Sequence, residues 1–229
     1  MKTLRPSSSA AAILAGGVLF TGPASGAVIF SEGFEGVNAF GMGTYAYASN
    51  YTQPNPAGGL LYGKAGAGIP GQVSTNSFPL APISLTAGSG VSAAQIDSGS
   101  AAYDFRGQFS SYLSQGDWAE INITFKDGAN APIGSPVLLG GQAFTLALPT
   151  APFGNYADAR AWGESAFQGI IPAGARTIDV VLSGTKVAGG TAIDGYVDNV
   201  NLSVSPVPEP ATCTLAGLAG LLFLRRRRR

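Results

Sequence analysis

In Trp118-Ala119-Glu120-Ile121-Asn122-Ile123-Thr124-Phe125-Lys126, Ala119, Ile121, Ile123 and Phe125 alternate with Glu120, Asn122, Thr124 and Lys126. A two-residue period belongs to a β-strand with one face buried and the other wet, because successive side chains leave opposite faces of the pleated backbone. Asp127-Gly128 ends the strand with turn chemistry. The alternation returns in Arg176 to Ser183, with Ile178, Val180 and Leu182 inward, and in Tyr196 to Val204, with Val197, Val200 and Leu202 inward. Across the body of the chain no apolar 3.6-residue period lasts three turns.

Outward from these strands, Val28 to Phe34 reads as a first strand that closes at Gly36. Val91 to Ile96 and Ala101 to Phe105 read as short strands around an Asp97-Ser98-Gly99 turn, and Pro136 to Leu139, Gln142 to Leu148 and Trp162 to Ile171 as three more. Tyr45, Tyr47 and Tyr51 lie in a polar stretch that fits either an aromatic sugar platform or a strand covering the core. Gly66 to Gly71 matches the dinucleotide fingerprint letter by letter. Pro70 and the polar Gln72 to Ser77 leave no helix for a pyrophosphate to cap, so it reads as a loop. Turns punctuate about nine strands with no helix among them, which predicts an all-β, antiparallel β-sandwich.

The two ends of the chain are of another kind. Lys2 and Arg5 precede an apolar run from Ala10 to Phe20, and Ala24-Ser25-Gly26-Ala27 offers small residues for cleavage, so residues 1–27 read as a signal peptide cut by signal peptidase. At the other end, Ser205-Pro206-Val207-Pro208-Glu209-Pro210 is followed by the uncharged run Ala211 to Leu224 and then by Arg225, Arg226, Arg227, Arg228 and Arg229. As a helix that run rises roughly 21 Å, short of the roughly 30 Å hydrocarbon core of a bilayer. The arginines favour a cytoplasmic C-terminus. Such a segment parks in a membrane without anchoring firmly.

Between the ends, residues 28–205 make one domain, large enough to bury a core. From Val28 to Val207 six basic residues (Lys64, Arg106, Lys126, Arg160, Arg176, Lys186) stand against twelve acidic ones. That balance argues against nucleic acid as a partner. The single cysteine, Cys213, lies in the tail, so the body carries no disulfide. The chain contains no histidine, which excludes a Ser-His-Asp triad, a Cys-His pair and histidine-built zinc sites. A glycosidase needs only two carboxylates. Glu32 with Glu35, or Asp117 with Glu120, would supply them, against the simpler reading of charge beside an edge or turn. Trp118 and Trp162 fit either sugar-stacking platforms or core residues that begin strands.

The C-terminal segment resembles the PEP-CTERM sorting signal of bacterial exported proteins, through Val207, Pro208, Glu209 and Pro210, the apolar run and the terminal arginines, in that order over residues 206–229. The resemblance implies an exosortase-type transpeptidase as partner, a transient inner-membrane intermediate, and a final place at the cell surface or in an exopolysaccharide matrix. The body resembles, more weakly, the galactose-binding-like jelly roll of many carbohydrate-binding modules. The likeness rests on Ser31-Glu32-Gly33-Phe34-Glu35-Gly36, Phe125-Lys126-Asp127-Gly128, Ile171 to Arg176, and Tyr196-Val197-Asp198-Asn199-Val200-Asn201-Leu202. It implies a structural Ca²⁺ where the first and last strands lie together, with Glu35 and Asp198 as ligands. Asn199 stands where that family's second aspartate is expected. The other reading makes Glu35 and Asp198 strand-end carboxylates, solvated or capping backbone.

Together these readings predict an exported, non-catalytic protein that binds polysaccharide. The alternative is a purely structural surface or matrix protein, and an extracellular carbohydrate-active enzyme ranks last.

Overall fold

The computed structural model describes residues 26–46, 55–112, 115–149, 159–187 and 189–207. Eleven strands follow one another as β1 (Ala27–Glu32), β2 (Gly43–Ala46), β3 (Leu61–Lys64), β4 (Ser74–Pro79), β5 (Ile83–Ser84), β6 (Ala101–Ser111), β7 (Trp118–Lys126), β8 (Pro132–Gly140), β9 (Gly163–Ile170), β10 (Thr177–Lys186) and β11 (Gly195–Pro206). They form two antiparallel sheets. The larger is ordered β2-β3-β11-β6-β9 with β1 also on β11; the smaller is β4-β10-β7-β8 with β5 also on β10.

β1 and β3 share one flank of β11, and β4 and β5 share one flank of β10. Counted as one position each, with β2 added at the edge, these flanks leave eight positions: first-eighth-third-sixth faces second-seventh-fourth-fifth. That is the double Greek key of a jelly roll.

The alternation that predicts the strands also builds the core. On β7 Ala119, Ile121, Ile123 and Phe125 are buried, and β10 adds Ile178, Val180 and Leu182 beside them. From the larger sheet come Tyr103, Phe105 and Phe109 on β6 and Val197, Val200, Leu202 and Val204 on β11. Tyr103 and Phe125 meet between the sheets with ring centres 5.1 Å apart. Each large apolar side chain so removed from water contributes roughly 1.5–3 kcal/mol.

Two segments expected as strands are short helices. Val91 to Ile96 enters α1 (Ala93–Asp97). Ser92 Oγ accepts the Gln95 N–H while Gln95 Oε1 accepts the Ser92 N–H. This capping box satisfies two otherwise orphaned donors and outweighs the strand preference of Val91 and Ile96. Gln142 to Leu148 is α2 (Gln142–Ala147), entered through Gly140 and Gly141 at φ +73° and +87°. Pro149 keeps Leu148 extended and stops the helix. A short apolar run fits either element, and here the glycine pair turns the chain out of β8 before a ladder can continue.

Conversely, β4 runs through polar residues that read as loop, because pairing with β10 supplies what its own propensity lacks. With β2, β3 and β5, each too short to show a period, it raises the strand count from about nine to eleven. Gly66 to Gly71 is the loop expected, bridged at Ala67 to Ala192. Among the described residues no helix is long and apolar enough to cross a membrane. Residues 1–25 of the expected signal peptide, Tyr47, Tyr51, and the tail from Pro208 to Arg229 lie outside the described residues.

Candidate functional site on the outer face of the larger sheet

The alternation of β11 breaks once. Its register with β6 shifts between Asp198 and Asn201, and Asn199 adopts φ +49°, as at a β-bulge. The bulge falls where β1 leaves β11 and β3 takes over its flank, and residues 55–60 plug the gap. Asp198 is fully buried. Its Oδ2 accepts the N–H groups of Ala57 at 2.9 Å and Gly58 at 3.1 Å, and its Oδ1 accepts that of Asn199 at 2.8 Å. Glu35, arriving from the end of the first strand, grips the same segment. Its oxygens accept the Leu60 N–H at 2.9 and 3.0 Å and the Leu61 N–H at 3.2 Å. Gly59 sits between them at φ +62°, and a Cβ there would lie 1.9 Å from Glu35 Oε1, so the clasp closes only on glycine. Burial pushes the Asp198 carboxyl up to about 6 against the pull of its three N–H donors, and the Glu35 charge adds to the rise.

The structure thus brings Glu35 and Asp198 to one place, and what they hold there is backbone. Ca²⁺ takes six to eight oxygen ligands. Here five backbone N–H groups already take most of the acceptor positions of the two carboxylates, and among the described residues no three His, Cys, Asp or Glu side chains group to hold a metal. As arranged, these residues do not fit the ion.

Trp162 lies over the same outer face. Its Nε1 donates to the Asn55 carbonyl at 2.5 Å. Its ring meets Tyr62 edge-on at 5.7 Å, and Tyr62 meets Tyr196 at 5.4 Å. Both tyrosines are fully buried, whereas Trp162 keeps part of its surface in solvent. Beside it β6 and β9 present polar side chains in register: Asp104 opposite Gln168, and Gln108 opposite Glu164. Gln168 Nε2 donates to Asp104 at 2.9 Å, Arg106 pairs with Asp104 and Glu164, and Asn199 Nδ2 donates to Gln108 at 3.1 Å. Trp118, the other candidate platform, lies on the opposite outer face, where its Nε1 donates to Glu120 at 3.1 Å. The two tryptophans therefore do not share one surface.

At the end of the sandwich near Tyr196 lies a group of buried charges, of which the sequence singles out only Asp117. Lys64 Nζ is 2.7 Å from Asp194 Oδ1, and the Tyr196 hydroxyl donates to the same oxygen at 3.2 Å. Burial, then the Asp194 charge, raise the Tyr196 phenol well above its ordinary value. Asp117, also fully buried, accepts the N–H groups of Val187 and Asp194, each at 3.0 Å. Burial is the main cause that raises its carboxyl. Lys186, fully buried, donates to the Gly189 carbonyl at 3.0 Å. No sequence signal marks Lys64, Lys186 or Asp194, because single charges at strand ends and in loops carry no period.

The carboxylate pairs weighed for hydrolysis are committed elsewhere. Glu32 accepts the N–H groups of Phe34 and Ala39, each at 2.7 Å. Glu35 and Asp117 bind backbone as above, and Glu120 accepts from Trp118 and Ser183.

No protein-family model and no curated protein sequence matches the chain. Solved structures do align with it. The CBM22-1 xylan-binding domain of Paenibacillus barcinonensis Xyn10C has 12% identity and a TM-score of 0.38 over 80% of this chain and 97% of that one. The C-terminal family 22 carbohydrate binding module of Clostridium thermocellum Xyn10B has 14% identity and 0.38 over 82% and 100%. The K3 cleaved adhesin domain of Lys-gingipain from Porphyromonas gingivalis has 18% identity and 0.38 over 77% and 99%. Likeness at this level transfers no function.

Proposed function

We propose that this is an exported, non-catalytic protein that binds polysaccharide on the outer face of its larger sheet. The observation that carries the reading is Trp162. It is fixed by the Asn55 carbonyl and by the edge of Tyr62, yet it is partly open to solvent beside a row of amide, carboxylate and guanidinium groups. A flat apolar ring held rigid next to a few oriented polar groups is what a binding surface for a neutral sugar requires. The negative balance of the body disfavours polyanions and leaves neutral polymers. The sequence at both ends supports export followed by exosortase-type sorting through Val207, Pro208, Glu209 and Pro210, with the surface or matrix as destination.

Affinity electrophoresis of the full chain against a panel of neutral and acidic polysaccharides tests the binding. The expected result is retardation by at least one neutral polymer, lost in Trp162→Ala and kept in Trp118→Ala on the opposite face. Equal mobility on every polymer removes the reading and leaves a structural matrix protein. Sorting is tested separately, by the intact mass of protein recovered from its native host. A species that retains Arg225 to Arg229 removes it.

A further inference from the structure

We infer that Lys64 and Asp194 condense into an isopeptide bond that ties β3 to the start of β11. Lys64 Nζ lies 2.7 Å from Asp194 Oδ1, and the two side chains retain 7% and 13% of their exposure. The Tyr196 hydroxyl donates to that oxygen at 3.2 Å, and Lys64 Nζ lies 5.7 Å from the centre of the Tyr196 ring. Tyr62, packed edge-on against Tyr196 and fully buried, backs the group away from water.

Three physical conditions for amide formation meet here. The fold holds amine and carboxyl together, so the entropy of encounter is lost on folding and not at the reaction. Burial makes the charged pair costly. Proton transfer from ammonium to carboxylate, followed by condensation, replaces it with a neutral amide. The Tyr196 hydroxyl sits on the oxygen that gathers negative charge as Nζ attacks, where a fixed donor has its greatest effect.

The step balances without a further reactant. A bond forms between Nζ and Cγ of Asp194, and the bond from Cγ to Oδ2 breaks. Two of the three ammonium protons leave with Oδ2 as water, and the third stays on the amide nitrogen. The opposite charges cancel, and nothing is oxidised or reduced. With one cysteine in the whole chain, this bond gives the exported body a covalent brace that a disulfide within the chain cannot.

The full-length protein, purified, denatured and digested with trypsin, decides the matter by mass spectrometry. The expected product is a peptide uncleaved after Lys64 and joined to the peptide carrying Asp194, at the sum of their masses less one water. Lys64→Met and Asp194→Ala are expected to lose both the junction and the missing water. Tyr196→Phe keeps the ring, and freshly made protein of this variant is expected to contain a larger unlinked fraction than the wild type. Wild-type protein with a folded circular-dichroism spectrum that yields two separate peptides, cleaved after Lys64, overturns the proposal. A missing water that persists in Lys64→Met does the same.

Discussion

The two sides of β11 are both buried, by different means. Its inner side, Val197, Val200, Leu202 and Val204, is covered by the opposite sheet, apolar against apolar. Its outer side at Tyr196 and Asp198 is covered by a loop and by the Lys64–Asp194 pair, with backbone N–H groups converging on a carboxylate. The inner side needs only volume and low polarity. The outer side needs particular atoms at particular distances, since each buried donor or acceptor left without a partner costs about 1–3 kcal/mol. The stable part of this strand and its chemically specific part are therefore opposite faces of the same strand, built by alternate residues.

The largest expected effect lies on the inner side. Leu202→Ala should lower unfolding stability by about 2–5 kcal/mol, read from urea denaturation of the full chain. On the outer side, Asp198→Ala orphans the N–H groups of Ala57, Gly58 and Asn199. It also removes a buried charge, so a net loss of about 1–3 kcal/mol is expected. A larger loss than for Leu202→Ala would make the clasp, not the core, the main hold on β11.

The outer side also responds to pH. The Asp198 carboxyl in the folded chain lies above its ordinary 3.8, at about 6, so the folded state binds the proton more tightly than the unfolded one. The group's contribution favours folding below about pH 3.8 and is lost as the pH rises through 6. With allowance for solvent screening, that contribution is no more than about 2 kcal/mol. Melting curves of the wild type and Asp198→Asn should differ in slope between those two pH values and run parallel above them. Parallel curves throughout would mean that the carboxyl is not buried in solution.

The smallest expected effect is that of calcium. With the carboxylates occupied by N–H groups, the full chain should melt at the same temperature in Ca²⁺ and in chelator. A bound ion at a hundred times its dissociation constant would add about 2.7 kcal/mol. A shift of that size would return Glu35 and Asp198 to the role of ligands and require residues 55–60 to leave them.

The strands with a long two-residue period, β7, β10 and β11, were legible because one buried face imposes alternation on the sequence. The turn after β7 and the loop at Gly66 were legible from their own chemistry. α1 carries a capping box, Ser92 to Gln95, that the sequence displays, but the β-branched Val91 and Ile96 favour a strand by propensity. The four residues of β3, by contrast, hold no period at all. They exist as a strand because β11 and β2 lie on either side.

The candidate site divides in the same way. That Glu35 and Asp198 come together was expected from a resemblance at the two ends of the body. That they bind Ala57, Gly58, Leu60 and Leu61 was not, because backbone N–H groups leave no mark in a sequence. Trp162 was named as a candidate; Tyr62 beneath it and Asn55 holding its indole were not.

The all-β class, the inward faces of β7, β10 and β11 and the distinct character of the two ends follow from the sequence alone, since periodicity and composition are local properties of a chain. Only the tertiary structure decided which outer face holds Trp162, what the two carboxylates grip, and that Lys64 meets Asp194. Those are contacts between residues far apart in sequence, and their free energy depends on distance and exclusion from water, which exist only once the sheets have closed.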